Sequence, residues 1–307
     1  MERTHGAVDH ESVVSHRSRT ARIAGPSRTA AWILAACVAL GLGTSATLAT
    51  ASPQRRGARP AMASRFSPNV TSSCWRSALE AERSRAAAPP SKLLRAFTLS
   101  YCNDFQGPRI PAGWFRFSGV PAGDPSGFFA RSHVAITSGH LSIRVTRRRG
   151  RAWATGGICH CGTPRLYGAF FVRSRVTGAG PDEIDLLWPV ARVWPPEIDF
   201  NESGAQTGST TWSVHYGGDD EVVHGATQID LLRWHTWGVI WTVHSLRFLV
   251  DGRLWGAVVR PSEIPHQPMT LDIQSQTFCG RGTECPAHPV TMQVRWVAEY
   301  ELKTSKS

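Results

Sequence analysis

The stretch Trp194-Pro195-Pro196-Glu197-Ile198-Asp199-Phe200-Asn201-Glu202 places three carboxylates within six residues, interleaved with Ile and Phe. A strand points alternate side chains to opposite faces, so Glu197 and Asp199 share one face while Ile198 and Phe200 pack on the other. Glu202 is out of phase by one residue, and a β-bulge, which adds one residue to a strand, returns it to the face of Glu197 and Asp199. Acids crowded on one sheet face repel each other and gain nothing in packing. Cleavage of a glycosidic bond calls for such a set: a nucleophile, a proton donor and a group that tunes them. The competing reading is a solvated surface, the ordinary place of Asp and Glu. Glu183-Ile184-Asp185 shows how weak an E-x-D triplet is alone. That copy runs into Leu186, Leu187 and Trp188 with no third acid, and it reads as a loop entering an apolar strand.

Aromatic residues cluster near the acids: Trp188, Trp194, Trp212 and Tyr216. Sugar rings present C–H faces that pack on aromatic rings, so a glycan cleft would use them; core packing is the alternative. For Trp194 and Trp212 both readings stand. Trp237, Trp241 and Trp296, inside alternating runs, read as core. In the run 269–276, Leu271, Ile273 and Ser275 alternate with Asp272, Gln274 and Gln276. Gln274 and Gln276 are candidate sugar contacts on the open side of that run.

The elements that must hold these residues are strands. Short apolar or alternating runs recur between turn signals at 134–137, 141–146, 168–176, 184–188, 197–202, 210–216, 236–242, 246–250, 255–259, 269–276 and 291–300. Asp251-Gly252 marks a hairpin turn after Leu246, Phe248 and Val250. Helical periodicity is scarce and no internal repeat is visible. The pattern predicts an all-β antiparallel sandwich or jelly roll.

Before residue 97 the text differs. Arg17, Arg19, Arg22 and Arg28 precede an apolar run over 30–48, followed by Ala49-Thr50-Ala51 and Ser52. This predicts a signal peptide over 1–51 with export of the remainder. The run is short for a membrane span and is broken by Gly41 and Gly43, so an uncleaved anchor is the weaker alternative. Leu34-Ala35-Ala36-Cys37 resembles a lipoprotein box, although its Cys sits early in the apolar run. Residues 52–96 read as a linker and short extension, with a helix over 77–87 ended by Pro89-Pro90.

Removing Cys37 with the signal leaves six cysteines: Cys74, Cys102, Cys159, Cys161, Cys279 and Cys285. An even number in an exported chain predicts disulfides. Cys279–Cys285 is the best single pair. Cys159-His160-Cys161 lacks the ligand number and spacing of a zinc site, so each cysteine is expected to bridge elsewhere. The net charge is +11 with pI near 10, almost all of it from arginine. The arginines are scattered apart from Arg147, Arg148, Arg149 and Arg151. They imply weak attraction to anionic surfaces such as a cell wall rather than nucleic-acid binding.

In this context the chain resembles glycoside hydrolase family 16, the β-jelly-roll family of laminarinases and lichenases, from about Phe97 to Tyr300. The resemblance rests on ordered landmarks: Tyr167-Gly168-Ala169-Phe170-Phe171-Val172-Arg173, Leu186-Leu187-Trp188-Pro189, the acid stretch, His215-Tyr216-Gly217, the segment from Trp234 to Thr242, and Phe248-Leu249-Val250-Asp251-Gly252. The six-residue E-I-D-F-x-E core is the bulged form of the laminarinase-type branch. The extension before residue 97, the Cys-His-Cys cluster and the Cys279–Cys285 loop depart from the family pattern. The resemblance implies a concanavalin A-like β-jelly-roll sandwich of two antiparallel sheets over 97–303. It implies Glu197 as nucleophile, Glu202 as acid/base and Asp199 as their electrostatic partner. Trp188, Trp194, Trp212, His215, Tyr216, Gln274 and Gln276 are then the candidate substrate contacts. The expected activity is a secreted, monomeric endo-acting hydrolase of β-linked polysaccharide, β-1,3- or mixed-linkage glucan, with transglycosylation open. It needs no cofactor and no catalytic metal; a structural calcium is left open. No nucleic acid and no stable membrane insertion after signal cleavage are expected. The alternative is a catalytically silent lectin-like module on the same fold.

Overall fold

Short alternating runs leave this chain little room for helices. The computed structural model contains sixteen strands and two short 3-10 turns among its described residues. It describes residue 74 and residues 88–121, 124–125, 127–148, 153–279 and 285–303. The expected signal peptide, most of the linker and the helix over 77–87 lie outside them.

Two antiparallel sheets lie face to face. In the first, β11 (Glu221–Gln228), β10 (Ser209–Tyr216), β9 (Glu197–Glu202), β8 (Asp182–Pro189), β15 (Met269–Gln276) and β6 (Trp153–Cys159) are neighbours in that order, with β2 (Phe115–Arg116) beyond β6. In the second, β5 (His140–Arg147), β16 (Val290–Leu302), β7 (Gly168–Val176), β12 (His235–Trp241), β13 (Leu246–Val250) and β14 (Arg253–Val258) follow one another. β4 (Val134–Thr137) pairs with β5, and β1 (Phe97–Asn103) with β16. The sheets meet where β5 pairs with β6, beside which β3 (Gly127–Phe129) runs parallel.

The inward residues of both sheets form one apolar core. Leu187, Ile198, Phe200, Val214 and Ile273 come from the first sheet, and Phe170, Val172, Val239, Phe248 and Val294 from the second. Each such side chain, taken fully out of water, contributes about 1.5–3 kcal/mol. Trp237 and Trp241 join this core. Trp296 belongs to a second cluster, where β1 and Leu94 cover the other face of the second sheet. All three tryptophans are fully buried, as their alternating runs predict.

Several expectations need correction. Glu183-Ile184-Asp185 is not a loop; it lies within β8, with both acids fully buried. Cys159 and Cys161 are bonded to each other, not to distant cysteines. A disulfide sulfur is not a thiolate, so neither offers the anionic ligand a metal site needs. The Cys279–Cys285 pair is present, and Cys74 joins Cys102. Five strands, β1, β2, β3, β6 and β11, have no counterpart among the expected runs. β11 is an exposed edge with no buried residue, so no apolar alternation marks it. β6 is buried along its whole length and carries Gly156-Gly157, which reads as a turn. Its glycines are required by close approach: a Cβ on Gly157 would lie 2.2 Å from the Phe117 ring.

Candidate active site

The acids of β9 stand where strand alternation predicts, with the bulge in place. β8 pairs Leu187 with Ile198 and Leu186 with Asp199, then Asp185 with Asn201 and Ile184 with Glu202. Phe200 is the unpaired residue. It turns into the core beside Ile198 and returns Glu202 to the face of Glu197 and Asp199. The same slip appears against β10, where Thr211, Ser213 and His215 face Glu202, Asp199 and Glu197 in turn.

That open face continues across the sheet. Asp272 of β15 lies opposite Leu186, Gln274 opposite Ile184, and Gln276 opposite Asp182. Cys159 and Gly157 of β6 lie beside Asp272 and Gln274, and Phe115 of β2 beside Cys159. The result is a band of polar groups flanked by exposed rings: Phe115 at one end, 59% exposed, and Trp194 at the other, 42% exposed.

The acids are held by specific donors. The Trp194 indole N–H donates to Glu197 Oε2 at 2.8 Å, and the Ser213 hydroxyl to Asp199 Oδ2 at 2.6 Å. His215 Nε2 lies 3.7 Å from Asp199 Oδ2, while its Nδ1 is 2.7 Å from Asp220 Oδ1. The backbone N–H of Glu202 donates to Thr210, whose hydroxyl donates on to Asn201.

Burial pushes all three carboxyls above their ordinary values, because removing a carboxylate from water disfavours its charge. Asp199 goes well above, since the charges of Glu197 and Glu202 add to its burial. Glu197 is raised less. The hydrogen bond from Trp194, the charge of His215 and a hydrogen bond with Asp199 all favour its ionised form. Glu202 is raised by burial, against His215. Asp199 is thus the carboxyl of the three most disposed to keep its proton, and its hydrogen bond with Glu197 favours the ionised form of Glu197.

Donor atoms of Glu197, Asp199 and His215 lie within 4.8 Å of one another. However, Glu197 Oε2 and Asp199 Oδ2 already accept N–H and O–H hydrogens where a cation would need lone pairs. The set fits proton sharing better than metal binding.

The other candidates divide. Trp188 is half-buried and, one residue past the inward Leu187, alternates to the open face. Trp194 and His215 touch the acids directly and lie against each other at 5.4 Å. Gln274 and Gln276 are on the open face, the latter nearly buried. Trp212 is a correction. It alternates to the core side of β10, is 7% exposed and stacks on Phe248 at 4.5 Å. It fits only because Gly225 and Gly256 lie against its ring, where a Cβ would approach within 2.6 and 2.1 Å. Tyr216 is also turned by alternation to the face opposite His215. Two residues of the open face were missed. Asp182 accepts from Ser203 and Gly204 beside Glu202, and burial with the Glu202 charge raises it to about 8. Asp272 is raised by burial to about 8. The alternation that marks Gln274 and Gln276 marks Asp272 equally.

The sequence profile described as glycosyl hydrolases family 16 matches residues 128–297, more than half of the chain. No curated protein sequence matches it. Solved structures with similar folds include a non-specific endo-β-1,3(4)-glucanase of family GH16. It is 20% identical, covers 68% of this chain and 92% of its own, and has a TM-score of 0.60. The catalytic domain of an endo-1,3-β-glucanase (laminarinase) from Thermotoga petrophila RKU-1 is 17% identical over 68% of this chain and 99% of its own, with TM-score 0.58. A laminarinase from Flavobacterium sp. UMI-01 is 20% identical over 66% and 100%, also with TM-score 0.58. At these identities the likeness is one of fold.

Proposed function

Because the chain belongs to glycosyl hydrolases family 16, we propose that it is a secreted, monomeric, endo-acting β-glycan hydrolase working by double displacement with retention. The observation that carries this reading is the bulge at Phe200, which gathers Glu197, Asp199 and Glu202 on the open face of one sheet.

In the first step Glu202 gives its proton to the glycosidic oxygen as the Glu197 carboxylate attacks the anomeric carbon from the opposite side. The C–O bond breaks, the leaving sugar departs with a new hydroxyl, and a glycosyl ester forms on Glu197. In the second step the Glu202 carboxylate takes a proton from water, the water oxygen attacks the same carbon, and Glu197 leaves as carboxylate. Two inversions restore the starting configuration. A sugar hydroxyl in place of that water makes the second step a transglycosylation.

Each neighbour has a part. The Trp194 N–H fixes one oxygen of Glu197 and leaves the other to attack. Asp199, keeping its proton, donates to Glu197 and stabilises it as a leaving group. Trp188 and Trp194 offer rings to sugar faces. No metal or other cofactor enters either step.

The preferred substrate class is β-1,3- or mixed-linkage glucan. The non-specific glucanase of similar fold was co-crystallised with 1,3-β-D-cellotriosyl-glucose, which supports that choice. Export is proposed from the sequence, with the mature chain starting near Ser52. Reducing-end release from laminarin, mixed-linkage glucan and agarose, with Glu197→Gln as control, tests the reading. Release from either glucan that vanishes in the variant supports it. No release from any of the three contradicts it.

A further inference from the structure

Beyond the three acids of β9, a fourth carboxyl opens on the same face. Asp272 lies in the middle of β15, opposite Leu186 of β8, which is itself opposite Asp199. Neighbouring strands are spaced by about 4.8 Å, so Asp272 sits roughly two strand widths, about 10 Å, from Asp199 across the sheet. That is too far to serve the reacting bond together with Asp199.

Its surroundings are those of a ligand contact. A carboxyl buried in an apolar sheet is costly, and an acid with a purely structural role is normally paired. Asp272 is 7% exposed, yet among the described residues no cation pairs with it and its carboxyl accepts one hydrogen bond, from the Thr270 hydroxyl to Oδ1 at 3.0 Å. The face around it is apolar or neutral: Leu186 on one side, and the Cys159–Cys161 disulfide on the other. Glu197 is the titratable group whose charge reaches it. The Thr270 hydroxyl engages Oδ1 and leaves Oδ2 without a hydrogen bond among the described residues.

We propose that Asp272 is a substrate-binding residue that recognises a hydroxyl of the sugar next to the reacting one, by donating its carboxyl proton from Oδ2. The inference rests on the glycanase reading and adds a specificity contact to it. A protonated carboxyl both donates and accepts, so it can bridge a hydroxyl pair as an amide does. Burial raises Asp272 to about 8, so the donor is present at neutral pH and is lost as pH rises through that value. Asp272 belongs to the open face through the pairing of β15 with β8 and β6, so the contact is built into the sheet and not into a loop.

The test uses the full mature chain with Glu197→Gln as a trap, and laminari-oligosaccharides as the ligand in calorimetry. Asp272→Ala is expected to weaken binding about tenfold, the cost of roughly one neutral hydrogen bond. Asp272→Asn, which keeps a donor, is expected to stay within about threefold of the parent. From pH 6 to 9.5 the parent should lose more affinity than the Asn form, which keeps only the change due to Asp182 and Asp199 on the same face. Thermal melts verify that each variant is folded. An Ala variant that binds like the parent, or an Asn variant whose alkaline loss equals the parent's, overturns the inference alone. A parent trap that binds no β-glucan oligosaccharide overturns the glycanase reading as well.

Discussion

Two copies of the same tripeptide sit on neighbouring strands with opposite fates. Glu183-Ile184-Asp185 of β8 and Glu197-Ile198-Asp199 of β9 lie on antiparallel neighbouring strands, offset so that Ile184 and Asp185 face Glu202 and Asn201 while Ile198 and Asp199 face Leu187 and Leu186. In β9 the Ile enters the core and the acids face the cleft. In β8 the phase is reversed. Ile184 faces outward opposite Glu202, and Glu183 and Asp185 point into the space between the sheets. There Asp185 accepts from Ser174 of β7 at 3.3 Å and from Asn201 of β9 at 3.0 Å. Burial raises Asp185 to about 7 and Glu183 well above its ordinary value, the latter also under the charge of Asp185. Residue types and spacing are identical, and only the phase set by flanking apolar residues separates a buried pair from a cleft pair.

The largest expected contrast is between the two glutamates. Glu197→Gln should reduce turnover by a factor on the order of 10³ or more while leaving the melting temperature nearly unchanged, since it removes a nucleophile. Glu183→Gln should leave kcat of the folded protein within a few-fold. Initial rates and thermal melts of both variants check this. Equal loss of turnover would mean that phase does not divide the copies.

Two tryptophans sharpen the comparison. Trp212→Ala leaves a cavity between Phe248, Gly225 and Gly256 and should cost about 3–5 kcal/mol of stability. Trp194→Ala removes an exposed ring beside Glu197 and should raise KM with little change in melting temperature. Denaturant unfolding alongside kinetics separates these outcomes, and a reversal would move Trp212 to the cleft.

The buried pair has a pH signature. Glu183 and Asp185 have folded pKa values above their unfolded ones of about 4. Their favourable contribution is fully present below that pH and is lost as pH rises through the folded values, near 7 for Asp185. Stability should fall between pH 5 and 8 by an amount on the order of 1–4 kcal/mol. Asp185→Asn should flatten that fall. Unfolding free energies across this range, unchanged in slope by the variant, would remove the pair from the account.

A smaller shift is expected at His215, whose charge favours ionised Glu197 and Glu202. His215→Asn should move the acid limb of the kcat/KM profile to higher pH by up to about one unit. An unmoved limb would show that His215 serves only to position its neighbours.

Much of the site was legible because a single strand carries it. The bulge that realigns Glu202 follows from alternation, and the core roles of Ile198 and Phe200 follow with it. Expected strands such as 168–176 and 269–276 match β7 and β15 end to end. What escaped depended on neighbours distant in sequence. Trp212 reads equally as core or cleft until Phe248 and Gly256, brought by β13 and β14, close over it. The acids of β8 look solvated until Ser174 and Asn201 supply donors. The Cys159–Cys161 bond escaped because each cysteine was expected to bridge elsewhere in the chain. β11 was hidden because an exposed edge strand needs no apolar pattern.

The central claim is that the acids brought together by the bulge at Phe200 act by double displacement. Proton NMR of the first product formed from a β-1,3-glucan oligosaccharide tests it most directly, because the anomeric signal is read before mutarotation. The account predicts that the new reducing end appears first as the β anomer. First appearance of the α anomer would contradict both the mechanism and the role of Glu197.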